Sequence, residues 1–279
     1  MAIVLGLLSA FAYGSSDFAA GLASRRYAAG PVTGLAQALG ITTAGVAVIF
    51  FPGVGPRAAA LEWGAVSGLG SALGTLALYH GLSVARMSVV ATLSAILTAV
   101  IPAIVGVVLG NHLAIGTAIG IVIAIPAIGL VSSQSQTAAG RPGRAGILYG
   151  SLAGLGFALL FIALDQAGTR AGAWPLIPGQ LVSLVLIAPF AYRGVIASGS
   201  PSLLAIEITV GAGVLSGLAN LLFLAATGHG QLAIVAVLTA LYPAVTVLLA
   251  RVFLCERWTR LQALGLLTAG AAIILVSAA

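Results

Sequence analysis

Long apolar runs separated by short polar knots set the pattern of this chain. Between Gln231 and Ser277, two apolar runs, Leu232 to Val252 and Leu261 to Ser277, flank the charged knot Cys255-Glu256-Arg257-Trp258-Thr259-Arg260. Each run is long enough, or nearly so, to cross a hydrocarbon core of about 30 Å at about 1.5 Å per residue. The unit reads as a helical hairpin in a membrane. Arg, Pro and polar clusters divide the whole chain into ten such segments, at 3-24, 31-51, 61-81, 87-109, 112-131, 146-166, 174-192, 203-226, 231-253 and 260-278. Many are rich in Gly and Ala, but a backbone in lipid must satisfy its own hydrogen bonds, and helix is the only open-chain solution. The pattern predicts an all-α membrane protein with ten transmembrane helices.

Composition sharpens this. Of 279 residues, 61% are hydrophobic and 6% charged, where a soluble domain carries about 25% charged. The eleven basic residues are all Arg and sit at or near predicted helix ends, with no basic stripe between them. The positive charge therefore reflects membrane orientation, and no nucleic-acid partner is expected. A single cysteine, Cys255, excludes an internal disulfide and any Cys-based metal cluster. Three scattered His residues without a paired carboxylate give no metal site. No cofactor is expected. GxSxG, HExxH and P-loop patterns are absent from the sequence, so no enzyme is predicted. The N-terminal run lacks a basic leader region and cleavage site and is expected to stay as the first helix.

The chain also matches itself. A displacement of 145 residues places Glu62 on Glu207, Gly68 on Gly213, Ser71 on Ser216, Leu93 on Leu238, Asn111 on Glu256 and Gly120 on Gly265. Nearer the start the displacement falls to 144, with Pro31 on Pro175, and to 143, with Gln37 on Gln180. The expected organisation is a first repeat over 1-131, a linker over 132-145 and a second repeat over 146-279. Five spans per repeat is an odd number, so the two copies must lie inverted in the membrane. In that plan the substrate site falls near the midplane, between the repeats.

The second half carries a small-residue helix with Pro243, the Glu256-Arg257 pair, Thr259, Gln262, Gly265 and Gly270. That set resembles the EamA family of the drug/metabolite transporter superfamily. In the first half, Tyr13-Gly14-Ser15-Ser16-Asp17-Phe18 is similar to an aromatic-Gly-Ser/Thr-x-Phe element of the family's first helix. The resemblance implies two tandem EamA domains and transport of a small molecule. The first half departs from it by carrying Asn111-His112 where the second has Glu256-Arg257. Local chemistry reads the knot as structural: Thr259 and Gln262 have capping-box spacing, and Asn111 is expected to cap the fifth helix.

GxxxG pairs, among them Gly30/Gly34, Gly64/Gly68, Gly70/Gly74, Gly106/Gly110, Gly116/Gly120, Gly150/Gly154 and Gly213/Gly217, predict close helix packing. Pro102, Pro126, Pro189 and Pro243 are expected to kink their helices, as hinges or as static bends.

Polar groups inside the spans supply the candidate site. An ionisable group at the bilayer centre costs about 2.5 to 3.5 kcal/mol on insertion scales. The candidates are Asp17, Gln37, Gln180 and Asn220, supported by Tyr79 and Tyr242. Asp17 lies eight residues before Arg25, about 12 Å from that helix end. A carboxyl group at that depth is protonated, hydrogen-bonded or facing a wet cavity, and Ser15, Ser16 and the two glutamines are its predicted partners. It reads either as the residue that couples transport to protons or an ionic substrate, or as a static bond between helices. The repeat-equivalent Gln37 and Gln180 read either as ligands for a small polar solute or as a helix-helix pair.

The predicted function is a secondary transporter of a small metabolite or drug-like solute, working by alternating access in the cytoplasmic membrane. Its predicted partners are that solute, protons and the bilayer; a structural subunit or channel-like protein is the alternative. Nine Arg (25, 26, 86, 141, 144, 193, 251, 257 and 260) fall on one side of the predicted topology, while Arg57 and Arg170 fall on the other. The positive-inside rule makes the nine-Arg side cytoplasmic and puts both termini outside. The resemblance implies the opposite orientation.

Overall fold

A computed structural model describes residues 1–85, 87–132, 144–198, 201–255 and 259–278. They form an all-α bundle. The helices in chain order are α1 (Ala2–Ser24), α2 (Ala29–Phe50), α3 (Ala58–Val84), α4 (Met87–Val108), α5 (Ile115–Ser132), α6 (Arg144–Ala167), α7 (Leu176–Ser198), α8 (Leu203–Thr227), α9 (Leu232–Thr239), α10 (Tyr242–Leu254) and α11 (Arg260–Ala278). Among the described residues, nine stretches are long and apolar enough to span a membrane, α9 and α10 together counting as one. The predicted third span is the exception. At 27 residues α3 has ample length, but Gly64, Ser67, Gly68, Gly70, Ser71 and Gly74 lower its apolarity. Several of these small residues lie against α6 and α7, so packing compensates for the weaker drive into lipid.

The other departures from expectation have local causes. The predicted ninth span is two helices, because Pro243 has no N–H to reach the Thr239 carbonyl and its ring crowds the preceding turn. Helix α9 closes instead through Ala240 N–H to Ala236 O at 2.8 Å and Leu241 N–H to Leu238 O at 3.2 Å. Helix α10 then restarts with Pro243 in its first turn. By contrast Pro102, Pro126 and Pro189 stand inside α4, α5 and α7, which remain helical on both sides. Asn111 does not cap α5. Helix α4 ends with Gly110 in the left-handed region at φ +99, Asn111 N–H to Gly106 O at 2.9 Å and Gly110 N–H to Val107 O at 3.0 Å, a Schellman closure. That closure aims the Asn111 side chain across the bundle, where its Oδ1 accepts from Ala233 N–H at 3.1 Å and caps the start of α9. The capping box at α11 forms as predicted: Gln262 N–H donates to Thr259 Oγ1 and Thr259 N–H to Gln262 Oε1, both at 3.1 Å.

The ends of the predicted linker belong to helices, since α5 runs through Ser132 and α6 begins at Arg144. The remainder of the linker, with Arg86, Arg141, Glu256 and Arg257, lies outside the described residues.

Small residues decide which helices approach closely. Gly70 and Gly74 of α3 face Gly156 and its neighbours on antiparallel α6, while Gly64 and Gly68 run beside Pro175 and Gly179 at the start of parallel α7. Antiparallel α1 and α8 are tied by Ser9 Oγ to Ala219 O at 2.9 Å and Ser16 Oγ to Ala212 O at 2.8 Å. Gly30, Gly34 and Gly40 of α2 lie along antiparallel α7, Gly213 and Gly217 place α8 parallel to α2, and Gly120 and Gly265 join antiparallel α5 and α11. Most of the predicted GxxxG positions therefore face another helix; Gly110 is a cap instead. Helix α9 sits at the centre, with Ala233, Val237 and Leu238 in one apolar cluster and Leu232, Val235 and Ala236 in the other.

At the end of the bundle bearing Arg57 and Arg170, loops join directly. Val54 N–H donates to Arg170 O and Ala173 N–H to Phe51 O, both at 2.9 Å. Gly53 and Gly172 meet there, both at positive φ (+57 and +60). A side chain at either would strike the other loop's backbone. Gln231 Nε2 adds a bond to His112 O at 2.9 Å.

Candidate functional site

Asp17 lies on the same face of α1 as Tyr13, one turn earlier. Its side chain is exposed although it lies well inside the span. The carboxylate lies within electrostatic range of Tyr13, Tyr79 and Tyr242, drawn from α1, α3 and α10. Among the described residues it accepts no hydrogen bond. Three of the four expected partners are engaged elsewhere: Ser16 bonds Ala212 O at 2.8 Å, and Gln37 and Gln180 bond each other. Tyrosines take their place. The break before α10 positions one of them, because α10 restarts at Tyr242 and Thr246 Oγ1 pins it to Gly14 O at 3.0 Å. Tyr79 lies near Thr33 of α2, whose hydroxyl donates to Ala29 O at 2.8 Å.

A second polar group lies deeper, between α2, α3, α7 and α8. Gln37 Nε2 donates to Gln180 Oε1 at 2.5 Å, and a Cβ at Gly40 would come within 2.8 Å of the Gln180 amide. The missing side chain at Gly40 makes room for that pair. Gln37, Ser67, Ser71, Gln180 and Asn220 line a cavity of about 10 Å³, about enough for one water. Ser183 Oγ donates to Ser71 Oγ at 3.3 Å.

Tyr13 joins the two groups. Its hydroxyl donates to Asn220 Oδ1 at 2.7 Å, and Asn220 Nδ2 donates in turn to Ser216 O at 3.0 Å. Its ring lies 6.0 Å from Phe161 and 6.3 Å from Tyr242, and Phe161 stacks on Phe223 at 4.3 Å. The structure thus brings all six predicted residues into one region, with Asp17, Tyr79 and Tyr242 at its outer part and Gln37, Gln180 and Asn220 at its inner part. Sequence reasoning did not assign Tyr13, Thr33, Ser67 or Ser71 to it. The four-residue spacing of Tyr13 and Asp17 carried that signal for Tyr13; no spacing pointed to the others. Chemically, the outer part offers a carboxylate with hydroxyls and aromatic faces, and the inner part offers neutral donors and acceptors.

The fold and this site define a polytopic helical membrane protein with a polar interior. Residues 144–278 match the family model of EamA, the EamA-like transporter family. Among solved structures, one described as a crystal structure of a protein covers 99% of this chain and 97% of its own length, with a TM-score of 0.75 at 15% identity. The two share the fold. No curated protein matches the chain.

Proposed function

We propose that the chain is a secondary transporter that moves a small metabolite or drug-like solute across the cytoplasmic membrane by alternating access between two inverted five-helix repeats. The observation that carries this reading is the joined polar region around Asp17 and the Gln37–Gln180 pair, enclosed in a bundle whose loops are laced together at one end. The match of residues 144–278 to the EamA-like transporter family supports the transporter class. Packing supports the repeat: exchanging helix n of one half for its counterpart in the other turns the α3–α6 contact into α1–α8 and the α3–α7 contact into α2–α8. The counterparts α2 and α7 run antiparallel, as do α5 and α11, as inversion requires. Asp17 serves as the residue that couples transport to protons or to an ionic substrate. The inner cavity is too small for a solute, so this state is occluded there, and the Gln37–Gln180 bond opens when α2 and α7 separate.

Purified protein in sealed vesicles is expected to show solute flux that saturates with concentration and responds to an imposed proton gradient. Flux that rises linearly without limit, or that ignores every gradient across a panel of metabolites, would sink the reading. The Arg-rich end is cytoplasmic in this proposal. A reporter active only in the cytoplasm, fused after Ala279, should stay dark, and a bright signal reverses the assignment.

A further inference from the structure

Away from the polar region, a cleft of about 370 Å³ opens between the first turns of α2, the last turns of α7 and the first turns of α8. Its volume falls within the range of pockets that hold small ligands, about 300–1,000 Å³. Its walls are nearly all apolar, from Pro31 and Leu35 through Leu184 and Ala188 to Ile206. The polar groups in the lining are Tyr27, Tyr192 and Thr209, and the Thr209 hydroxyl is already bonded to Ala205 O at 2.6 Å. A polar solute would find few partners here. An acyl chain would find a matching wall.

The mouth carries charge. Within two positions of the lining residues stand Arg25, Arg26 and Arg193, all exposed, against one acidic residue, Glu207. The segment holding Arg193 lies against the start of α2, because a Cβ at Gly194 would sit 2.5 Å from the Pro31 ring. Tyr27 stands just before α2 and Tyr192 toward the end of α7, near helix ends, where aromatic side chains commonly meet headgroups in membrane proteins. An apolar slot ending in a basic rim at a bilayer surface is complementary to a lipid with an apolar tail and an anionic head.

We propose that this cleft is a binding site for an anionic phospholipid from the surrounding bilayer, with one acyl chain between α2, α7 and α8 and the headgroup beside Arg26 and Arg193. The inner end of the cleft includes Gly34 and Leu184, one turn from Gln37 and Gln180 on the same helices. A chain seated there packs against α2, α7 and α8 at the Arg-rich end and so links bilayer composition to the polar site.

The test uses the full chain in mixed micelles holding equal amounts of phosphatidylglycerol and phosphatidylcholine, with retained lipids counted by native mass spectrometry. The parent is expected to retain phosphatidylglycerol in preference to phosphatidylcholine. The double variant Arg26→Gln/Arg193→Gln should weaken that retention about 30-fold, and Ala188→Trp, which fills the cleft, should abolish it. Size-exclusion elution reports folding. If Ala188→Trp fails to fold, the charge variant alone decides. Equal retention of the two lipids, or retention unchanged in the double variant, overturns the proposal. So does retention of an uncharged apolar molecule with no preference for the anionic lipid, which would mark a site for apolar solutes. None of these readouts depends on transport, so this proposal and the transporter reading can fail separately.

Discussion

Asp17→Asn is expected to insert and fold as the parent does, while its flux no longer responds to the proton gradient. The substitution keeps the size of the side chain and its capacity for hydrogen bonds, but removes both the charge and the proton. If Asp17 only braced its neighbours, the amide would replace it with little effect. Its setting argues otherwise: the side chain is exposed inside a span, and the groups within its electrostatic range are the hydroxyls of Tyr13, Tyr79 and Tyr242. The measurement is solute uptake into vesicles across a series of external pH values, with vesicle incorporation quantified for both proteins. A variant that incorporates normally and follows the parent's pH profile would remove Asp17 from the coupling mechanism.

The largest loss of stability is expected from Gly156→Ala. A Cβ at Gly156 would come within 2.6 Å of Gly74 Cα and even closer to the Gly74 nitrogen. Backbone, not a flexible side chain, is the obstacle, so relief requires α3 and α6 to part along their length. The cost is expected to be about 3 kcal/mol or more, at the upper end for overpacked sites. Gly21→Ala is the matched control, since a Cβ there meets nothing within 4 Å and alanine favours helix. Thermal unfolding in detergent should place Gly156→Ala well below the parent and Gly21→Ala at or above it. Equal midpoints for the two variants would show that the α3–α6 contact is looser than described.

Much of this architecture was legible in the residues because lipid leaves few choices. Apolar runs of spanning length must be helical, so the segments were placed to within a few residues. The small-residue spacings marked surfaces that do pack closely, as at Gly70/Gly74 and Gly213/Gly217. What escaped was long-range. Periodicity does not say that Asn111 will reach across the bundle to cap α9, because its local signal is the same as that of a residue capping the next helix. Nor does it separate Pro243 from Pro102: both lack an N–H, and tertiary surroundings decide whether a helix continues through the gap. The candidate residues were found because polar groups inside spans are few. Their arrangement was not, since which tyrosines face Asp17 depends on how α1, α3 and α10 are turned toward one another.

The lacing of the loops at the Arg57 and Arg170 end has an energetic consequence. Its two inter-loop backbone hydrogen bonds, Val54 to Arg170 and Ala173 to Phe51, lie at a loop surface where water can replace either partner. Each such bond contributes only about 0.5–1.5 kcal/mol net. Two such bonds together hold the loops to each other by only about 1–3 kcal/mol. In the proposed alternating-access cycle, a latch this weak is one that a modest ligand preference tips, and its sensitivity to substitution is concentrated at Gly53 and Gly172, where any side chain would strike the opposite loop's backbone.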